Sequence, residues 1–123
     1  MHKDYSAYAS ESGLSTSVII SPPSPPTSPK RRQKLSAILA DLAQVKEAHL
    51  TEVVTLGEAG SKRLVLFVIV YERADIDDVR RVVERQLRRV RRFREKLELH
   101  VATPEFELLD TIREVKCIVG WRD

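Results

Sequence analysis

The chain has 123 residues, 42% of them hydrophobic, and a net charge of +3, which suits one globular domain with a modest core and excludes a multidomain protein. The basic excess lies in residues 1–34, whereas residues 35–123 carry equal numbers of basic and acidic residues. Cys117 is the only cysteine and no apolar run approaches the roughly 18 residues of a membrane span, so we expect a cytoplasmic protein without a disulfide or a membrane segment.

The N-terminal segment is rich in serine and proline, and five of the six prolines lie between residues 22 and 29. Such a composition favours extended polyproline II geometry and does not build a core. We therefore predict a disordered basic arm over residues 1–33 and a single folded domain over residues 34–123. Leu14 and the stretch Val18-Ile19-Ile20 are the exception, because an apolar segment of this kind could dock as an added strand on an open sheet edge or on a partner.

Four strands and three helices are predicted after the arm. Apolar spacing indicates a first helix from about 29–32 to residue 46, followed by a strand over 49–56 and a loop with two glycines over 57–61. Residues 63–71 are apolar on both faces, which is typical of a central strand.

The second helix is predicted over residues 75–95, with aspartates in its first turn and arginines toward its end, as the helix dipole prefers. Residues 97–102 alternate as a half-buried strand, Pro104 opens a short helix, and residues 116–121 form the last strand. The expected fold is therefore α+β, with a four-stranded mixed sheet in the order α-β-β-α-β-α-β. Right-handed crossovers are expected to place the two later helices on one face of the sheet.

Arginines fill the polar face of the second helix, opposite an apolar arc that needs a sheet to cover it. This stripe suits phosphates or an acidic partner. It is equally well explained as a solvated helix face, stabilised by the i,i+4 pairs Asp77–Arg81 and Glu84–Arg88. The members of the stripe are Arg81, Arg85, Arg88 and Arg92.

A second group of cations, Lys30, Arg31 and Arg32, follows the proline-rich run. Ser28-Pro29-Lys30-Arg31 resembles the short motifs of DNA-binding tails, in which cations enter a narrow minor groove. The PxxP spacing of the same segment also suits a polyproline ligand for an aromatic groove. A solubilising linker is the third interpretation.

No catalytic, metal or cofactor site is predicted. His2, His49 and His100 lack a metal-ligand spacing, and nothing resembles a P-loop, a dinucleotide fingerprint or a serine elbow. Residues Phe67, Ile69 and Tyr71 share one face of their strand, where they either support a dimer on the second side of the sheet or pack under the first helix.

Three stretches, LADLAQVKEAHL (39–50), RLVLFVIV (63–70) and ELHVATPEFELLDTIREVKCIVGWRD (98–123), together with the order of elements, resemble the C-terminal domain of the enhanced serine sensitivity protein family. The resemblance covers nearly all of residues 35–123. It implies a non-enzymatic α/β module and supplies no binding residues.

The last stretch also resembles the tail of minimal nucleotidyltransferase domains, a family that needs a Gly-Ser motif followed by an Asp-x-Asp pair to hold magnesium. Gly60-Ser61 is followed by RLVLFVIVYERAD, with no paired aspartates on the strand. Asp75, Asp77 and Asp78 come later, in a helix first turn where capping explains them. The departure implies no active transferase, and a catalytically dead relative stays open.

The leading hypothesis is a non-catalytic binding or adaptor module that acts by protein–protein contact, with a homodimer left open. The alternative is nucleic-acid binding through the basic arm and the arginine stripe.

Overall fold

A computed structural model describes residues 3–9, 15–56, 62–89 and 97–121, with side chains for residues 18–56, 62–89 and 97–120. The elements in chain order are β1 (Lys3–Ala9), β2 (Ser15–Ser21), α1 (Pro29–Ala40), β3 (Val45–Thr55), β4 (Arg63–Val70), α2 (Ile76–Arg89), β5 (Leu97–Ala102), α3 (Leu109–Val115) and β6 (Ile118–Trp121). A 3₁₀ turn, Arg73–Asp75, leads into α2.

The α+β class and the mixed sheet are confirmed. The strands follow the order β1-β2-β3-β4-β5, and β6 pairs with β3. Only the β4–β5 pair is parallel among the described pairs. The four predicted strands are present as β3 to β6, and β1 and β2 extend the sheet beyond them. The predicted 57–61 loop lies outside the described residues.

The folded unit starts earlier than residue 34. Val18 to Ser21 pair with Thr55 to Glu52 along the same edge of β3 whose other end pairs with β6. Val18 and Ile20 are 1% and 0% exposed, and they pack beside Val53. The docked-strand alternative for this apolar stretch is therefore what the structure shows, because β6 is short and leaves half of that edge open.

Two helices cover one face of the sheet. Leu35 and Leu39 of α1 and Val79 and Val83 of α2 form one core with alternate residues of β3, β4 and β5. The first helix is shorter than expected: it ends at Ala40, and a turn leads into β3 at Val45. Both helices are fixed by apolar side chains that lie three or four residues apart, as in an ordinary amphipathic helix.

The third helix packs on the opposite face, contrary to the expectation of one shared face. Leu108 and Ile112 pack beside Phe67 and Val65, so Phe67 lies under α3 and not under α1. The reason is the direction in which each connection crosses the sheet. The first crossover moves outward from β4 to β5, and the second returns past β4 and β3 to β6, so a crossover of the same hand needs the other face.

One local prediction is also corrected, and the predicted start of the first helix near residues 29–32 is observed. The third helix begins at Leu109, so Pro104 lies in a turn that precedes the helix. The segment Ser28-Pro29 is a helix start: the Ser28 hydroxyl accepts a hydrogen bond from the Arg31 backbone N–H at 3.3 Å, and Pro29 occupies the first helical position, where no N–H is needed.

Candidate functional site: the arginine face of α2

The arginine stripe is exposed along the described length of α2. Val79 and Val83 are buried against the sheet, which turns the opposite side of the helix outward. Arg81, Arg85 and Arg88 are all exposed. The fourth predicted member, Arg92, lies outside the described residues. The three described members span ~10 Å along the helix axis, at 1.5 Å per residue. They therefore form a continuous cationic surface.

The ion pairs that would explain the stripe as a solvated face do not form. Asp77 bonds Arg80 at 3.2 Å instead of Arg81. Arg88 donates from Nε to the backbone carbonyl of Glu84 at 3.4 Å and makes no ion pair with the Glu84 carboxylate. Among the described residues, Arg81 and Arg85 have no hydrogen-bond or ion-pair partner. Their donors are therefore available to a ligand.

The second predicted group of cations lies in the first turn of α1. Lys30 and Arg32 are exposed and Arg31 is half-buried. This turn contains no acidic residue. Cations at a helix N-terminus are disfavoured by the helix dipole, by about 0.3–1 kcal/mol each at the surface. The three side chains are therefore held by a helix and do not belong to an extended arm.

The topology brings the two groups toward the same end of the sheet. The second helix runs from the end of β4 back to the start of β5, where Leu97 pairs with Leu64. The first helix starts near this end, because Arg31 lines a cavity together with Leu64. Its N-terminus and the C-terminal end of α2 therefore lie on the same face at the same end.

The cavity at this end has a volume of about 600 Å³ and lies between the proline-rich segment and the sheet. Two backbone hydrogen bonds of Ser24 attach the proline-rich segment to the sheet. The Ser24 N–H donates to Glu52 at 3.1 Å, and the Ser24 carbonyl accepts from Lys62 at 2.7 Å. Lys62 also pairs with Glu52 at 3.2 Å, and Arg63 pairs with Glu98 at 3.2 Å. Because these charges are mutually compensated, the cavity is a weaker anion site than α2.

The segment with PxxP spacing is thus docked on its own domain. Its prolines line the cavity walls, with Pro23 and Pro26 shared between this cavity and a smaller one beside α1 of about 190 Å³. A polyproline ligand must offer both its prolines and its backbone to an aromatic groove. In this conformation Ser24 already uses its backbone groups within the chain.

A buried polar cluster on β3 has no counterpart in the sequence predictions. Glu47 and His49 are 0% and 2% exposed, and the His49 Nε2–H donates to Glu47 at 2.7 Å. Arg113 of α3 donates through Nε to Glu47 Oε2 at 3.1 Å and through Nη2 to Oε1. His49 Nδ1 is buried and has no hydrogen-bond partner among the described residues.

The electrostatics of this cluster favour a charged Glu47. Burial alone would raise the pKa of Glu47, but the hydrogen bonds from Arg113 and His49 outweigh it and hold the pKa below the ordinary 4.5. The carboxylate in turn raises the pKa of Arg113. A glutamate and a histidine two residues apart in the strand sequence VKEAHLTEVV were the only signal in the sequence, and they did not identify the partner.

The remaining candidate residues, His100 and Cys117, do not form a shared site among the described residues. His100 lies against Phe106 and Phe67, at ring-centre distances of 4.9 and 5.6 Å, and its pKa is lowered first by burial and then by the charge of Arg80. Cys117 is half-buried, and burial raises its pKa. No cluster of three or more potential metal ligands occurs among the described residues.

No helix in the described part of the chain is long and apolar enough to span a membrane. No protein-family model, no curated protein and no solved structure matches this chain.

Proposed function

We propose that the protein is a non-catalytic binding module that acts by protein–protein contact, with the arginine face of α2 as the surface that receives an acidic segment of its partner. The observation that carries the proposal is the exposure of Arg81 and Arg85, which have no hydrogen-bond or ion-pair partner among the described residues. A guanidinium offers five donors in a planar fork that matches a carboxylate. Because α2 packs on the sheet, it holds the guanidinium groups of Arg81 and Arg85 at a fixed spacing.

The surroundings of the stripe favour a peptide over a nucleic-acid backbone. Asp78 and Glu84 are exposed on α2 and flank the arginines on the helix wheel. A DNA strand carries a phosphate about every 3.4 Å, so a rigid backbone along α2 would also meet these carboxylates. A peptide chain can place its acidic side chains on the arginines alone.

The experiment measures fluorescence anisotropy of a labelled peptide of alternating glutamate and alanine, titrated with the full chain. We expect binding by the wild type and a loss of about tenfold in affinity in Arg81→Gln/Arg85→Gln/Arg88→Gln, since three exposed pairs contribute about 0.5 kcal/mol each. A matched control removes the same charge elsewhere, at the exposed residues Lys34, Arg73 and Lys116. Equal loss in the control variant would mean that net charge, and not the stripe, holds the peptide.

Nucleic-acid binding is the second candidate, and the shared location of the two cationic groups favours it. Lys30, Arg31 and Arg32 on α1 lie at the end of the sheet toward which the α2 stripe runs. A phosphate backbone that crossed both helices would release several counterions, so its affinity would fall steeply with salt. Gel shifts with a mixed-sequence oligonucleotide test this candidate, and the absence of a shift at low salt would reject it.

We propose a cytoplasmic location, with which the lone Cys117 is compatible because thiols stay reduced there.

A further inference from the structure

Strand β5 forms an open edge of the sheet that the described residues build. Among the described strands it pairs with β4 alone. An unpaired edge presents a row of N–H and C=O groups that can bond another strand, and proteins usually protect such edges with lysine, proline or a bulge. Residues 97–102 contain neither lysine nor proline.

In β5, apolar and polar residues alternate as Leu-Glu-Leu-His-Val. The order of apolar and polar residues is therefore the same in both directions from Leu99. Suppose that two copies of β5 pair antiparallel about a two-fold axis at Leu99. Glu98 then lies opposite His100 of the second copy, and Leu97 lies opposite Val101 of the second copy. Glu98 has a side chain that is 51% exposed, and His100 lies on the same face of the strand. The edge is therefore complementary to itself.

Two charged residues of α2, Arg80 and Glu84, lie beside the same part of β5. The helix packs chiefly on β5. Val82 and Gln86 are half-buried on the flank of α2 that faces α1, so the exposed Arg80 lies on the opposite flank, toward the open edge, where its charge also acts on His100. Glu84 is one turn further along the same side, ~6 Å away, while Glu98 is ~6.6 Å from His100 along the strand. The midpoint between Arg80 and Glu84 therefore lies near the level of Leu99.

We propose that the β5 edge and the Arg80–Glu84 side of α2 pair with a second copy of this chain, which continues the sheet across a two-fold axis at Leu99. About that axis the two α2 helices run antiparallel. Arg80 of each copy then meets Glu84 of the other. Arg80 uses one nitrogen for Asp77, which leaves further donors for this contact.

A second copy is the occupant because the contact is isologous. In a two-fold interface each residue pair occurs twice, so one surface must carry both members of every pair. Here both Arg80 with Glu84 and Glu98 with His100 satisfy that condition. The Arg81 and Arg85 side chains lie on the outward side of the helix and stay available to another partner.

The test uses charge reversal followed by mixing, with molar mass from size-exclusion chromatography and light scattering. We expect the wild type at submillimolar concentration to show twice the chain mass of 14.1 kDa. Arg80→Glu places two glutamates in contact and Glu84→Lys places two cations in contact, so each variant alone should be monomeric. An equimolar mixture of the two variants should again show a dimer, since both contacts of the heterodimer are then attractive.

The substitutions are at exposed helix positions, and circular dichroism is used to check that each variant is folded. Arg73→Glu is the matched control, since Arg73 is exposed and precedes α2, and it should leave the dimer intact. A monomeric wild type would overturn the proposal. Single variants that stay dimeric, or a mixture that stays monomeric, would overturn it equally.

Discussion

Arg113 of α3 donates hydrogen bonds to both carboxylate oxygens of Glu47 on β3, although the two residues are 66 positions apart in the sequence. Glu47 is fully buried, whereas the Arg113 side chain is 40% exposed. The contact joins α3 to the middle of the sheet and supplies the charge that a buried carboxylate needs. The cluster therefore fastens the helix that covers the second face.

We expect Arg113→Gln to destabilise the fold by about 1–3 kcal/mol, because the substitution leaves the Glu47 carboxylate buried without its cation. Urea denaturation measures the change. Glu47→Gln/Arg113→Gln should cost less than the sum of the two single variants, as groups in one contact are not additive. Arg73→Gln, at an exposed position, should be nearly neutral. A neutral Arg113→Gln would show that the contact does not stabilise the fold.

Stability should fall on acidification in two steps. The pKa of His100 is lowered from 6.5 by burial and by Arg80, so the unfolded state takes up that proton first and stability starts to fall below pH 6.5. The pKa of Glu47 is lowered from 4.5 despite its burial, because Arg113 and His49 hydrogen-bond to the carboxylate, so its contribution is present above pH 4.5 and is lost below it. Urea midpoints across this range measure both.

Each step has its own control. We expect His100→Gln to reduce the fall in stability that begins below pH 6.5. We expect Glu47→Gln to reduce the fall in stability below pH 4.5. If stability stayed constant between pH 6.5 and pH 4.5 in the wild type, the burial argument for His100 would be wrong. The two variants separate the steps even if both substitutions lower the overall stability.

Ile20→Ala should destabilise the fold by about 2–5 kcal/mol, since Ile20 is fully buried against the face that α3 covers. Thermal or urea unfolding measures the loss. Ile19→Ala is the matched control, because Ile19 is only half-buried on the same strand, and it should cost clearly less. Deletion of residues 1–28 would remove β2 as a whole and should therefore destabilise the domain. An unchanged midpoint after that deletion would contradict the paired strand.

Lys116→Gly should stabilise the fold by up to about 1 kcal/mol, since the left-handed conformation costs a residue with a Cβ roughly 1–2 kcal/mol and glycine loses about 0.5–1 kcal/mol more chain entropy on folding. Lys116 ends α3 in the left-handed conformation, with φ 59° and ψ 41°. Glycine adopts this conformation without the steric cost that a Cβ carries. Lys116→Ala is the control and should bring no such gain, because alanine keeps the Cβ. Denaturant midpoints compare the two, and a loss of stability in Lys116→Gly would contradict the expectation.

The strands with strong local patterns could be predicted from the sequence. The apolar run of β4 and the alternation of β5 match their observed bounds to within one residue. Strand β2 could not, because Val18 and Ile20 are buried only where β6 leaves part of the β3 edge open. The contact between Glu47 and Arg113 is likewise non-local. It depends on α3 lying on the second face, which follows from the direction of the crossover and from no local pattern.

The arginine face was predictable because a helix wheel follows directly from spacing. What the wheel did not show is how the charges pair. Asp77 bonds Arg80 rather than Arg81, and Arg88 bonds a backbone carbonyl. Side-chain rotamers decide such pairs, and i,i+3 and i,i+4 partners compete at a cost of a few tenths of a kcal/mol. The availability of the arginines therefore emerges only from the three-dimensional structure.

The most direct test of the binding surface is a ¹⁵N chemical-shift titration of the full chain with the alternating glutamate–alanine peptide. We expect the largest shifts at Arg81, Arg85 and Arg88, including the side-chain Nε–H signals, and small shifts at Arg80 and across β3. The Arg81→Gln/Arg85→Gln/Arg88→Gln variant should show no saturable shifts. Shifts centred on Lys30 to Arg32, or no saturable shifts in the wild type, would contradict the account.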